Sequence, residues 1–237
     1  MKITTMFLCG TMAAGLPVAA MAQDNWGGNR GDEGSYIELQ IGRSHLYDHS
    51  FDVPGGRITT DSSNGDVVLL NSGYEFGQWA LGSLRVEGEL GYRNNGADNH
   101  YFTPNGATGN IALTDAGGET QMWSLMFNVV NDFAPGTAFD PYVGVGAGYA
   151  RIDFHKYNAA VAGANLPPVT VIDDVDNGWA YQGMVGFRSR LTTQLTLDVN
   201  WRYFKADSPS FTNTAGQRVA SGYQSQAVLV GLAYTFQ

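Results

Sequence analysis

The chain is poor in cysteine, in charge and in long apolar runs, and each shortage closes off a class of answer. Its single cysteine, Cys9, lies among the first residues. Nothing after it can form a disulfide within the chain or act as a thiol nucleophile. Charged residues make up 15% of the 237 positions, well below the usual quarter. Lys and Arg number 13 against 22 Asp and Glu, a net charge of −9. That balance argues against a nucleic-acid partner, whose affinity would rest on Lys and Arg. Past the N-terminal segment no stretch reaches the ~18 apolar residues of a spanning helix, and mean hydropathy is only −0.17.

Glycine and aromatic residues are plentiful. There are 31 glycines, roughly twice average usage, and Phe, Trp and Tyr together reach 12%. Aperiodic glycine with many aromatics does not suit a helical bundle; it suits strands and turns. The N-terminus has its own signature. Met1-Lys2 gives a positive start, Ile3 to Ala20 is mostly apolar or small, and Ala20-Met21-Ala22 is an A-x-A site before Gln23. Residues 1–22 therefore read as a secretory signal peptide cleaved near Ala22. Cys9 sits too early for a lipobox. Gln23 to Gly34 is polar and glycine-rich and reads as a flexible periplasmic lead-in, which leaves residues 35–237 for one folded domain.

From Ser35 onward the sequence alternates apolar and polar residues in eight segments: Ser35–His45, Asp66–Phe76, Leu81–Arg93, Thr120–Val130, Pro141–Phe154, Gly178–Arg190, Gln194–Phe204 and Gln224–Phe236. Period-2 alternation over ten or more residues predicts strands, because successive side chains point to opposite faces. Ile37, Leu39 and Ile41 alternate with Glu38, Gln40 and Gly42; Leu195, Leu197, Val199, Trp201 and Tyr203 alternate with Thr196, Asp198, Asn200 and Arg202. Ordinary strands average five or six residues. These are long enough for a tilted strand to cross a bilayer. The connections alternate too. Leu46–Gly65, Asn94–Glu119, His155–Asn177 and Ala206–Tyr223 are long; Gly77–Ala80, Asn131–Asp140 and Leu191–Thr193 are short. That rhythm predicts an all-β, eight-stranded, antiparallel up-and-down barrel with one rim facing outside.

Two barrels share this pattern. A soluble barrel turns its apolar side chains inward, whereas a membrane barrel turns them outward to lipid. Volume decides between them, because eight strands leave an interior only just wide enough for side chains. The apolar stripe includes Trp123, Phe127, Trp179, Phe187, Trp201, Tyr234 and Phe236, too bulky for that bore. The opposite stripe holds Gly42, Gly73, Gly144, Gly146, Gly148, Gly186 and Gly231 and charges of both signs. The seven aromatics are accordingly expected to face lipid, and a transmembrane barrel is expected. Closure satisfies every backbone group in lipid, which an open sheet edge cannot do.

Asp140-Pro141-Tyr142-Val143-Gly144-Val145-Gly146-Ala147-Gly148-Tyr149-Ala150 resembles the P-Y-x-G-x-G-x-G-x strand of small outer-membrane β-barrels, the OmpA-type and opacity-type porin-like family. Val230-Gly231-Leu232-Ala233-Tyr234-Thr235-Phe236 is similar to that family's closing strand. Here the aromatic is penultimate, with Gln237 after it. The resemblance implies a location in the Gram-negative outer membrane among lipid and lipopolysaccharide. It also implies recognition of the last strand by the barrel-insertion machinery, and roles in envelope integrity, surface recognition or slight passive conductance. The expected role is structural or surface-interacting; a narrow pore for small solutes is the alternative.

Candidate chemistry is sparse. Glu38, Arg85, Glu87, Glu89, Arg188, Asp198 and Arg202 share the inward stripe with Glu75, Arg93 and Arg190. Buried charge must be paired, so these residues are expected to form a salt-bridged filling, with a gate as the sharper hypothesis. His45, His49, His100 and His155 form no catalytic motif, and no catalytic residue, cofactor or metal site is assigned. Asp173-Asp174-Val175-Asp176-Asn177-Gly178 lacks the spacing and final Glu of a calcium loop and reads as a solvated acidic turn. The long connections expose Tyr47, Phe51, Tyr101, Phe102 and Phe211, which makes an extracellular ligand there a possible partner.

Overall fold

The computed structural model describes residues 34–236, apart from 48, 54–55, 63, 107–108, 110, 136, 162–168, 208–209, 213–217 and 221–222. The signal segment 1–22 and most of the lead-in lie outside the described residues. Twelve strands follow in order: β1 Gly34–Leu46, β2 His49–Val53, β3 Gly56–Ser62, β4 Asn64–Trp79, β5 Gly82–Pro104, β6 Ile111–Asp132, β7 Asp140–Val161, β8 Val169–Arg190, β9 Leu195–Ala206, β10 Ser210–Thr212, β11 Arg218–Ala220 and β12 Tyr223–Thr235.

Eight of these strands form the barrel. β1 pairs with β4, β4 with β5, and so on through β9 and β12, all antiparallel. β12 then pairs back with β1, placing Ile37 opposite Tyr234 and Ile41 opposite Val230, which closes the wall. The start of β1 and the end of β12 lie at the end that carries the short turns. One turn begins β5 with Gly82 at φ +128°, backbone that a side chain would strain. Across it Trp79 Nε1 donates to Asn131 Oδ1 at 3.0 Å, and Asn131 Nδ2 donates to the Leu81 carbonyl at 3.1 Å. The turn into β9 is tied by Thr192 Oγ1, which accepts from the Leu195 amide at 2.9 Å.

The opposite end departs from the sequence expectation. The long connections are expected to be loops, yet much of each is strand. β5 runs on to Pro104 and returns from Ile111, with His100 opposite Leu113 and Phe102 opposite Ile111. β7 and β8 extend likewise to Val161 and from Val169. β2 and β3 form a hairpin that joins β5, and β10 and β11 form a small hairpin of their own. A ladder of backbone hydrogen bonds continues past the stretch that lipid solvates, where no face is required to be apolar. The apolar alternation that marks a strand in lipid is therefore lost.

Candidate functional site

The wall sorts side chains by phase. Ile37, Leu39 and Ile41 are exposed outward, while Glu38 and Gln40 between them are buried inward. The seven aromatics expected on the lipid side all point outward; Trp179 is 60% exposed and Phe127 59%, and Phe187 is partly covered by stacking on Phe139 at 5.0 Å. They cluster in two bands. At the loop end Trp123 leans on Tyr92 (4.9 Å) and Trp179 on Tyr149 (6.0 Å). At the turn end Tyr234 meets Phe236 (5.3 Å) and Tyr74 meets Phe76 (5.0 Å). Two aromatic bands flanking an apolar zone are the arrangement of a transmembrane barrel at its two interfaces. Above the loop-end band Arg43 pairs with its register partner Asp66 at 2.5 Å, both exposed.

The bore is filled in three layers. At the turn end Arg85 is the hub: its Nε donates to Asp132 Oδ2 at 2.5 Å and its Nη1 to Glu87 Oε1 at 2.6 Å. Tyr36 also donates to Glu87 (2.5 Å), and the Tyr142 ring faces the guanidinium at 5.0 Å. Arg188 reaches Glu75 at 3.1 Å. In the middle layer Glu89 pairs with Arg202. Its Oε2 also accepts from Asn128 Nδ2 and Gln182 Nε2, both at 3.0 Å. Arg202 and Asn200 each donate to Gln40 Oε1 at 3.3 Å, and Tyr142 donates to Asp198 at 2.9 Å. All seven charged residues singled out in the sequence are buried in this bore. The glycine stripe makes the room. A Cβ at Gly146 would run into Asn128 Oδ1, and one at Gly144 would come within 2.9 Å of Met184 and Val130.

The third layer, toward the loop end, is not expected from the sequence. Leu46, Met122, Met126, Ile152, Phe204 and Tyr223 pack there with Ala150, Ala180 and Ala206. Arg93 lies within this layer, stacked at 4.3 Å over Phe204, with one bond to Ser124 at 3.1 Å. Sequence reading also missed Tyr36, Tyr142 and Asp132. Asp132 falls in a stretch read as a connection, although it keeps the phase of Asn128 and Val130. Arg190 is a correction: it is exposed at the turn end rather than inside the bore, because the wall ends there.

His45 is exposed and sits 3.1 Å from Asn64, its register partner, while Ser44 beside it points inward. His49, His100 and His155 lie on strands, with side chains outside the described residues. The Asp173–Gly178 segment is part of β8 rather than a turn, and Asp176 Oδ1 accepts from the Asn177 amide at 2.8 Å. Among the long-connection aromatics, Tyr47 is exposed and Tyr101 and Phe102 are half-buried; the side chains of Phe51 and Phe211 lie outside the described residues.

A closed eight-stranded wall, two aromatic bands and a packed polar bore together describe one kind of protein, and the family comparison agrees. The profile described as "Outer membrane protein beta-barrel domain" matches residues 8–236. The chain belongs to the outer membrane β-barrel family. Membership places it in the outer membrane. A relative named "Outer membrane protein", from Gluconacetobacter diazotrophicus, is 26% identical over 265 aligned residues. That alignment covers 100% of this chain and 64% of the relative, so the chain spans under two thirds of the relative's length. Among solved structures, the outer membrane protein OprG from Pseudomonas aeruginosa is similar in fold. It is 17% identical, with TM-score 0.54, over 87% of this chain and 97% of that one. Neisserial surface protein A is 15% identical with TM-score 0.49, over 89% of this chain and 100% of that one.

Proposed function

We propose that this outer membrane β-barrel is a structural and surface-interaction protein with a closed bore. The observation that carries the reading is the middle layer: Arg202, Glu89, Asn128, Gln182, Gln40 and Asn200 bond to one another across the lumen from five different strands. Such a network sets paired charge across the tight interior of an eight-stranded barrel. The outward belt is solvated by acyl chains, with lipopolysaccharide at the loop-end band. The closing strand β12 with Phe236 offers the insertion machinery its alternating signal. The long hairpins at the loop end supply the surface for an extracellular ligand. Residues 1–22 are removed on export. The role includes no catalytic step.

Planar-bilayer recording of the refolded chain, with heat-modifiable gel migration as proof of folding, tests the reading. Folded protein is expected to insert without steady unitary currents. Reproducible currents that change in Arg202→Ala would replace it with a narrow gated pore for small solutes.

A further inference from the structure

Charge pairing in the bore leaves Glu38 and Asp198 over, besides Asp140 at the turn end, whose Oδ1 accepts from the Ala134 amide at 2.8 Å. Arg85 serves Glu87 and Asp132, Arg188 serves Glu75, and Arg202 serves Glu89. Arg93 sits in the apolar layer on Phe204. Glu38 and Asp198 have no guanidinium within ion-pair distance among the described residues, although each is 1% exposed. Arg188 is the register partner of Asp198, but its guanidinium turns to Glu75 and lies over the Tyr36 ring at 5.3 Å.

The two acids flank Gly231. Gly231 on β12 is the register partner of both Gln40 and Asp198, and a Cβ there would lie 2.9 Å from Glu38 Oε1. Glu38 thus reaches over the bare backbone directly opposite Asp198. Two like charges held together out of water need a positive charge between them.

A second observation identifies its kind. Glu38 Oε1 and Asp198 Oδ2 have no hydrogen-bond partner, and neither do the amide oxygens of Asn71 and Asn200. Both amides are fully buried, and each is oriented by its own acid. Asn71 Nδ2 donates to Glu38 at 3.4 Å, and Asn200 Nδ2 to Asp198 at 2.9 Å. A shared proton would satisfy the acids and leave both amide oxygens without a donor. A metal ion takes oxygens of both kinds as ligands. No three His, Cys, Asp or Glu side chains are placed to hold a metal among the described residues; here two acids are joined by two amides. An all-oxygen set with two negative charges is the chemistry of a hard divalent cation of the calcium class.

We propose that Glu38, Asp198, Asn71 and Asn200 form an interior site for one such cation, in the turn-end half of the bore. It staples β1, β4 and β9 from within. Tyr142, whose hydroxyl donates to Asp198 at 2.9 Å, provides a local reporter, because a tyrosine ring this close sensitises terbium emission.

The test is titration of the refolded chain with terbium and then with calcium, in detergent after chelation. One terbium per barrel is expected, displaced by calcium, with a calcium-dependent rise in unfolding temperature. Outer-shell substitutions already weaken metal binding by about 10–100-fold, so Glu38→Gln and Asp198→Asn should each lose about 100-fold or more. Both should keep the heat-modifiable migration of the folded barrel, and both should lose the calcium-dependent stabilisation. Asp176→Asn, half-buried on β8 near the loop end, should bind as the wild type does. Three results would overturn the site: no saturable binding, binding that survives in both bore variants, or a carboxylic-acid infrared band in the wild type that vanishes in Glu38→Gln without any metal uptake.

Discussion

Removing Glu89 should cost the barrel far more than removing Glu89 together with Arg202. Glu89 lies on β5 at mid-height, fully buried, and its Oε2 accepts from Arg202, Asn128 and Gln182. In Glu89→Leu the Arg202 guanidinium keeps only long contacts, to Gln40 at 3.3 Å and Gln182 at 3.4 Å. A buried charge stripped of its partner costs about 3–5 kcal/mol. Replacing both members of a buried pair by apolar residues of similar size is often neutral or stabilising. In Glu89→Leu/Arg202→Met, Asn128 and Gln182 still bond to each other at 2.7 Å. The double variant should therefore fall within about 2 kcal/mol of wild type, which leaves a coupling energy of a few kcal/mol. Urea unfolding in lipid vesicles, followed by tryptophan fluorescence and gel migration, gives all four stabilities. If Glu89→Leu changed stability by less than about 0.5 kcal/mol, as a surface substitution would, or if the double variant equalled the sum of the singles, the plugged-bore argument would fail.

Two further outcomes follow from the phase of the wall. Val145 is 67% exposed on the outer face, so Val145→Arg should destabilise the barrel by about 2–4 kcal/mol in bilayers, measured by the same urea titration. Gly148 and Ala147 are neighbours with opposite phases. A Cβ at Gly148 would meet the Leu125 carbonyl and come 2.7 Å from the Met126 Cα, so Gly148→Val should lose about 1–3 kcal/mol or more through overpacking. Ala147→Val, facing lipid, should refold with wild-type yield and gel migration.

The membrane-spanning part of each strand was readable because lipid and a tight bore impose opposite demands on alternate residues. Glu38, Glu87 and Asp198 could be placed inside, and Trp123 and Trp201 outside, from phase together with the bulk of the aromatic stripe. The same logic fails where the two environments stop differing. In the hairpins beyond the apolar belt no lipid requires an apolar face, so Asn94–Pro104 and Ile111–Glu119 look like loop although they pair as strands. In the loop-end layer both faces are apolar. Met122 and Met126 inside and Trp123 and Phe127 outside form one greasy run, and nothing in their composition marks the inner pair. Which acid meets which arginine was not legible either, because Arg85–Asp132 and Arg202–Glu89 join residues 47 and 113 positions apart. The pairing of β5 with β6 brings the first pair together, with Asp132 opposite Ser83 and Arg85 opposite Val130, and only closure of the barrel brings the second.

The whole account rests on which stripe meets the acyl chains, and the tryptophans report it directly. Trp79, Trp123, Trp179 and Trp201 are all exposed on the outer face. A variant keeping only Trp201, refolded into bilayers of bromine-labelled lipid, measures contact with the chains against contact with water. Strong quenching by the brominated chains and little by aqueous iodide is the predicted result. Quenching by iodide with none from the lipid would put Trp201 on the wet side of the wall and contradict the account.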